Sequence, residues 1–282
     1  MEMLRGRFGD RYKIIDSIGA GGVGHVYSAL DRELKKKLAL KVLVDGFGVR
    51  KDIQENFLKA SEAGRKIKHP NIIPVYDVGR AGGYAFCAME LCTGKSLRTL
   101  LEEKHMISWE EAKPIFLQLC DALSALHGNS ITHRNLKPSK VFISPAGDAI
   151  LLDFAIAKVS EDDFSKRNIF VGTHSYAAPE QVLGMEEYDH RVDIYTLGLL
   201  MYYTLTGIHP FEDEKPTLIP VLGNEGGYGV YFTRPLCPQI APRTLCASLS
   251  HPLQDVIMRA MEAEPDMRFQ TASELRSAIE KL

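Results

Sequence analysis

Residues 133–137 read HRNLK, and this short stretch decides the fold through its place among four others. It follows GAGGVGHV at 19–26 and LALK at 38–41, and it precedes DFA at 153–155 and APE at 178–180. The first of these fits G-x-G-x-x-G-x-V, in which glycines without a Cβ let backbone amides approach phosphate oxygens. Alone, that pattern is equally typical of a glycine-rich hairpin turn. The order of all five stretches makes the prediction specific.

In that order, the five stretches resemble the eukaryotic-type protein kinase domain over essentially the whole chain. The phrases HPNIIPVYDVG at 69–79 and GTHSYAAPEQ at 172–181 look most like the bacterial Ser/Thr branch of the family. The resemblance implies an α+β, bilobal fold in a single domain. It divides the chain into a small β-rich lobe at 1–90, a hinge at 91–95 and a mainly helical lobe at 96–282.

The composition of the 282 residues is that of a globular protein with one large domain or two lobes. Lys and Arg total 34 against 36 Asp and Glu, a balance that gives no electrostatic footprint for nucleic acid. The five cysteines form no CxxC pair, so we predict neither a disulfide framework nor a zinc site, and we expect reduced thiols in a cytoplasm. The uncharged stretch 194–205 is too short for a membrane segment and predicts a buried core helix.

Secondary-structure signals change along the chain. Runs rich in β-branched and aromatic residues predict strands at 12–19, 25–31, 36–44, 71–79 and 84–91. A helix is predicted near 53–68, and beyond position 96 apolar residues recur at helical spacing. Ser108 with Glu111, and Thr271 with Glu274, predict capping boxes at the starts of two helices.

The resemblance implies an ATP site between the lobes. Its glycine loop would cover the phosphates, Lys41 would reach the α- and β-phosphates, and Met89 would be the gatekeeper beside a hinge that holds the adenine. The full set of implied nucleotide-binding residues is Gly19, Gly21, Gly24, Val26, Ala39, Lys41, Met89, Glu90, Cys92 and Phe142.

Other matched positions imply scaffold roles. Asp193 resembles the acid that anchors the catalytic loop, and Arg268 with Glu180 resembles the buried ion pair of the large lobe. His133 would be a core residue rather than a proton shuttle, and Arg134 resembles the arginine that gathers a phosphorylated activation segment.

Four positions depart from the family pattern in the catalytic machinery. The catalytic aspartate falls at Asn135, which is neutral and cannot take a proton, and Lys137 is the remaining catalytic-loop candidate. The asparagine that binds magnesium falls at Lys140, and a lysine cannot coordinate a cation. Asp153 is then the one remaining metal ligand, and Ala155 replaces the glycine that follows it.

The fourth departure lies in the helix of the small lobe. The glutamate that should pair with Lys41 maps to Ala60, and Glu62 cannot replace it because residues two apart on a helix point to different faces. Between Asp153 and Glu180 the Ser and Thr residues are Ser160, Ser165, Thr173 and Ser175. Thr173 matches a substrate-side position, which leaves few candidate phosphosites.

These departures predict a pseudokinase: impaired or absent phosphotransfer, weak ATP binding, and a regulatory or scaffolding role through binding another protein. Magnesium binding is left open. An active but atypical Ser/Thr kinase and a scaffold that binds no nucleotide are the two alternatives. We also expect that Lys140 places its ammonium where a metal would sit, allowing nucleotide binding without a metal.

Overall fold

In the computed structural model of this chain, the described residues are 8, 11–21, 24–43, 51–153, 158–159, 174–183, 188–211, 217–220, 228–231, 238 and 240–282. The expectations for Ala155, Ser160, Ser165 and Thr173 therefore lie outside the described residues. The fold below refers to the described ranges.

The first part of the chain forms an antiparallel five-stranded sheet in the order β1-β2-β3-β5-β4. Its strands are β1 (Tyr12–Gly21), β2 (Gly24–Asp31), β3 (Lys36–Val42), β4 (Val75–Ala81) and β5 (Tyr84–Glu90). One helix, α1 (Lys51–Arg65), lies between β3 and β4 in the sequence and packs against β4 and β5. The β-rich first part is thus confirmed.

The predicted boundaries in this part agree with the structure to within two residues except at two places. The strand predicted at 71–79 begins only at Val75, because Pro74 has no N–H for a ladder and the residues before it pair elsewhere. Ile73 donates its N–H to the carbonyl of Leu151 at 3.0 Å, so this segment joins the helical part of the molecule. The helix predicted to reach position 68 ends at Arg65.

The second part is mainly helical. Its helices are α2 (Leu97–Lys104), α3 (Trp109–Gly128), α4 (Pro179–Val182), α5 (Arg191–Thr206), α6 (Pro242–Leu245), α7 (His251–Ala260) and α8 (Ala272–Glu280). Its strands are β6 (Lys95–Ser96), β7 (Ile131–Thr132), β8 (Val141–Ile143), β9 (Ala149–Leu151), β10 (Lys158–Val159), β11 (Thr217–Pro220) and β12 (Tyr228–Tyr231). A 3-10 turn, Pro138–Lys140, leads directly into β8.

The core of the second part is built around α5. Nearly all of its side chains are buried, which confirms the core helix predicted at 194–205. In the described part of the chain, no helix combines the length and apolar character needed to cross a membrane. A bidentate ion pair completes this core: both terminal nitrogens of Arg268 donate to the carboxylate of Glu180 at 2.7 Å.

Capping boxes were predicted at the starts of α3 and α8, and the structure bears out one half of each. The hydroxyls of Ser108 and Thr271 accept N–H bonds from Glu111 and Glu274, so both N-caps are confirmed. The reciprocal halves of the capping boxes are wrong. The Glu111 carboxylate accepts from Lys104 at 3.0 Å, and that of Glu274 accepts from the backbone of Gln270 at 2.8 Å.

Candidate functional site

The register of the sheet collects the predicted nucleotide-binding residues on one face. Val26 lies opposite Lys41, which lies opposite Cys87, while Ala39 lies opposite Met89. Directly paired residues of an antiparallel sheet share a face, and so do residues two apart on one strand. Four of the predicted residues therefore border one surface of the sheet.

The glycines at the tip of this sheet have different surroundings. Gly21, the last residue of β1, pairs with Gly24, the first residue of β2. A Cβ on Gly24 would lie 2.4 Å from the carbonyl oxygen of Val42, so packing against β3 already demands glycine there. A Cβ on Gly19 would lie 3.8 Å from the side chain of Val26, an ordinary contact distance. Packing does not explain glycine at position 19, and its predicted role beside a phosphate stays a prediction.

Lys41 is held in an apolar part of the sheet. Its neighbours Leu40 and Val42 are fully buried, and the residue itself is 7% exposed. Its ammonium lies 5.8 Å from the ring centroid of Phe57 on α1 and forms an ion pair with Oδ1 of Asp153. The sheet thus aims this lysine at the second part of the chain.

Helix α1 supplies no acid to Lys41 among its residues with described side chains. Ala60, which the sequence analysis predicts to replace the family's glutamate, is 1% exposed. Glu62 points elsewhere and pairs with Arg65 at 2.7 Å on the surface. Asp153 is the acid that Lys41 meets.

The edge of the sheet beside the hinge carries a polar cluster that the sequence reasoning missed. The carboxylate of Glu90 accepts from the ammonium of Lys36 at 2.5 Å and from the hydroxyl of Tyr76. Burial alone would raise the pKa of Glu90, but these two hydrogen bonds hold it below its ordinary value. A lysine and a tyrosine 40 residues apart give no local signal of this contact.

Cys92 and Phe142 are the remaining predicted binding residues, and Cys92 lies within the connection at 91–95. Burial raises the pKa of Cys92 to about 11, so its thiol stays protonated at neutral pH. Phe142 is half-buried on β8, opposite Ser96 at the far end of the connection.

The catalytic-loop segment is anchored by one buried carboxylate, that of Asp193. It accepts the backbone N–H groups of His133 and Arg134, each at 2.8 Å, and the Nε2–H of His127 at 2.8 Å. Burial would raise the pKa of Asp193, and these bonds lower it below its ordinary value. Arg134 is held in the left-handed region, with φ 63°, a conformation that needs such an anchor.

His133 is a structural residue in this geometry. Burial lowers its pKa, so the imidazole is neutral. Its Nε2 donates to the carbonyl of Leu152 at 3.1 Å, and its Nδ1 accepts the backbone N–H of Asn135 at 3.3 Å. Its Nδ1 thus holds the backbone of the half-buried Asn135, while its Nε2 ties the loop to the residue before Asp153.

Lys140 pairs with the carboxylate oxygen of Asp153 that Lys41 does not contact. Its backbone carbonyl accepts the N–H of Leu152 at 2.8 Å, which fixes the 3-10 turn next to Asp153. Its ammonium forms an ion pair with Oδ2 of Asp153. Burial would raise the pKa of Asp153, and the charges of Lys41 and Lys140 instead hold it far below its ordinary range.

Lys137 adds positive charge to the same place. It precedes the 3-10 turn, and its carbonyl accepts the N–H of Lys140 at 2.8 Å. Burial lowers its pKa first, and repulsion from Lys140 lowers it further. Lys41 and Lys140 thus pair with one carboxylate, and Lys137 lies close enough for its charge to interact with Lys140 and Asp153.

This residue set does not fit magnesium. The ion requires oxygen ligands in near-octahedral geometry, whereas each oxygen of Asp153 receives an ammonium and the second ligand position is itself an ammonium. Among the described residues, no three His, Cys, Asp or Glu side chains come together in a way that could hold a metal ion. The cluster suits an anionic ligand.

A glycine-tipped sheet whose third strand carries a buried lysine, set on a helical part that supplies the partner acid, defines a two-lobed kinase-like class of protein. The family model for the protein kinase domain matches residues 12–278. The chain therefore belongs to the protein kinase family.

Its relatives include bacterial serine/threonine-protein kinases. A probable serine/threonine-protein kinase of Clostridium perfringens is 32% identical over 275 residues, covering 97% of this chain and 38% of that protein. Serine/threonine-protein kinase PknB of Mycobacterium tuberculosis is 30% identical over 277 residues, covering 96% of this chain and 42% of that protein. The chain thus spans about two fifths of the length of these relatives.

Solved structures confirm the fold. The crystal structure of the Mycobacterium tuberculosis PknI kinase domain matches with a TM-score of 0.75 at 22% identity and covers 98% of both chains. The α+β fold with a β-sheet lobe and a helical lobe is thereby confirmed.

Proposed function

We propose that this chain is a pseudokinase of the bacterial Ser/Thr type, with impaired or absent phosphotransfer and a regulatory or scaffolding role through binding another protein. One observation supports the proposal above all: the two oxygens of Asp153 receive the ammonium groups of Lys41 and Lys140. Phosphoryl transfer depends on metal ions that neutralise the developing charge and on a residue that orients the nucleophile. Here the acid that would hold the metal is paired with lysine.

The position of the catalytic base supports the same proposal. Asn135 lies on a loop that Asp193 and His133 hold in place. The loop is therefore ordered as in a kinase, and the difference from the family is the neutral amide in place of a carboxylate. General-base assistance contributes about 10²–10⁴ in rate. Losing it together with the metal removes most of what a kinase supplies.

The proposed molecule is a single domain, with lobes at 1–90 and 96–282 joined at 91–95, that works in the cytoplasm and binds ATP weakly. The partner would be a signalling protein. A nucleotide-independent scaffold remains the alternative if ATP does not bind.

An active, atypical kinase is the second candidate, and the ion pair between Lys41 and Asp153 favours it. This pair keeps the two charged residues of an ATP site in contact. It would require the base and metal functions to come from elsewhere.

Phosphate incorporation from radiolabelled ATP distinguishes the two candidates. We expect purified protein to label itself and a generic basic substrate no more than a Lys41→Ala variant does, with magnesium or manganese present. Labelling that is clear in the wild type and lost in Lys41→Ala would establish the active kinase and end the pseudokinase proposal.

A further inference from the structure

We propose that the cleft binds a nucleoside triphosphate free of divalent cation, with the Lys140 ammonium in the place of the metal, and that magnesium weakens this binding. The inference rests on the ATP binding included in the proposed function. Beyond that function, it specifies that the nucleotide binds without a divalent cation and that Lys140 selects this form. The juxtaposition that supports it is Lys41 and Lys140 on the two oxygens of one carboxylate.

The position of Lys140 is fixed by its backbone rather than by its long side chain alone. Its N–H donates to the carbonyl of Lys137, and its carbonyl accepts the N–H of Leu152, both at 2.8 Å. These bonds tie the 3-10 turn to the residue just before Asp153. The ammonium is therefore held beside Asp153 before any ligand arrives, which reduces the ordering that binding requires.

Both lysines retain donors for a phosphate. An ammonium has three N–H donors, and the ion pair with Asp153 needs one of them. The side chain of Lys140 is 22% exposed, against 9% for Lys41, so Lys140 is the more accessible of the two to a ligand from solvent. Asp153 in this arrangement orients two cations toward a phosphate chain instead of coordinating one.

The charge of the cluster selects the ligand. Lys41 and Lys140 carry two positive charges against the one negative charge of the Asp153 carboxylate that they share, because both ammonium groups keep its pKa low. A triphosphate without metal supplies the missing negative charge, and a divalent cation removes part of it. A cation bound to the phosphates would also meet the Lys140 ammonium at short range, where like charges repel.

The inference is tested by titrating a fluorescent ATP analogue into the full chain, once in excess EDTA and once in excess magnesium. We expect binding in EDTA and binding at least several-fold weaker in magnesium. A kinase-like metal site would instead give tighter binding in magnesium than in EDTA. Since this comparison uses the wild-type protein, it does not depend on how any variant folds.

Three substitutions assign the effect to the side chain. Lys140→Met keeps the apolar stem and should weaken binding in EDTA by roughly 10- to 100-fold, the loss of one charge-assisted contact. Lys140→Asn supplies an oxygen ligand and should make magnesium strengthen binding. Lys104→Met is the matched control, because Lys104 is an exposed lysine paired with Glu111 at 3.0 Å, and it should change nothing.

The outcomes separate this inference from the proposed function. Binding that requires magnesium, or equal binding by wild type and a folded Lys140→Met, would overturn the inference and leave the pseudokinase proposal to the labelling assay. Binding in neither condition would overturn both the inference and the ATP-binding part of the proposed function, and would favour the nucleotide-independent scaffold.

Discussion

Lys41 and Asp153 lie 112 residues apart in the chain and form an ion pair between the sheet and the helical part. Lys140 binds the other oxygen of the same carboxylate. The carboxylate is thus the common partner of two ammonium groups in a place where its own side chain is 13% exposed. Removing this carboxylate should therefore lower the stability of the protein as well as change ligand binding.

We predict that Asp153→Asn lowers the free energy of unfolding at pH 7 by about 3–5 kcal/mol, the usual result of removing one partner of a buried ion pair. The folded-state pKa of Asp153 is depressed, so the stabilisation is complete above the unfolded pKa of about 3.9 and is lost as pH falls through the folded value. Urea unfolding from pH 7 to pH 3 measures this. The difference in free energy of unfolding between wild type and Asp153→Asn should be constant above about pH 5 and become smaller below about pH 4. A difference that does not change with pH would contradict the prediction.

A second prediction concerns the pair formed by Arg268 and Glu180. Both side chains are almost completely buried, and two bonds of 2.7 Å join them. Glu180→Gln should therefore destabilise the protein by about 3–5 kcal/mol, because it leaves the guanidinium buried without its counter-charge.

The exposed pair between Arg98 and Glu102 is the matched control, with a contact of 2.8 Å but side chains more than half exposed. Glu102→Gln should cost about 0.5 kcal/mol or less. Thermal or urea unfolding of the two variants measures the contrast, and similar losses for both would show that burial does not set the value of these pairs.

How much of the fold could be predicted from the sequence depends on how far apart in the chain the interacting residues lie. The strands of the sheet and the core helix at 194–205 are periodic and local, and they were predicted. The strand predicted from position 71 was wrong because Ile73 bonds to Leu151, a contact that no local pattern reveals.

The same limit applies to the site. Lys41, Asp153 and Lys140 stand in motifs of fixed spacing, so their positions could be predicted. The sequence could not predict that both lysines bind the same carboxylate, because this depends on how the 3-10 turn lies against the end of β9. The cluster of Lys36, Tyr76 and Glu90 lies on three strands and has no sequence signature.

A third prediction separates the two roles of glycine at the tip of the sheet. Gly24→Ala would set a Cβ 2.4 Å from the backbone oxygen of Val42, so we expect a loss of stability of about 1–3 kcal/mol from overpacking. Gly19→Ala has room for its Cβ and should leave the unfolding midpoint nearly unchanged. If phosphates approach the backbone there, Gly19→Ala should still weaken binding of the ATP analogue. Unchanged binding would remove Gly19 from the site.

The last prediction asks whether the proposed catalytic defects are local. The combined substitution Asn135→Asp, Lys140→Asn, Ala155→Gly and Ala60→Glu restores the family residue at each departure. Ala60 is 1% exposed and lies one helical turn from Phe57, whose ring centroid is 5.8 Å from the Lys41 ammonium. The introduced carboxylate would therefore share a helix face with a residue that already contacts Lys41.

We expect this combined variant to transfer phosphate at a rate at least about 10²-fold above wild type, the lower end of what a general base contributes. Labelling in the presence of magnesium measures it, and adding Lys41→Ala to the variant should abolish the gain. The loop that holds position 135 is already fixed by Asp193 and His133, so the new base would stand on a built support. A variant that folds with the wild-type unfolding midpoint yet stays inactive would place the defect in the shape of the cleft rather than in these side chains.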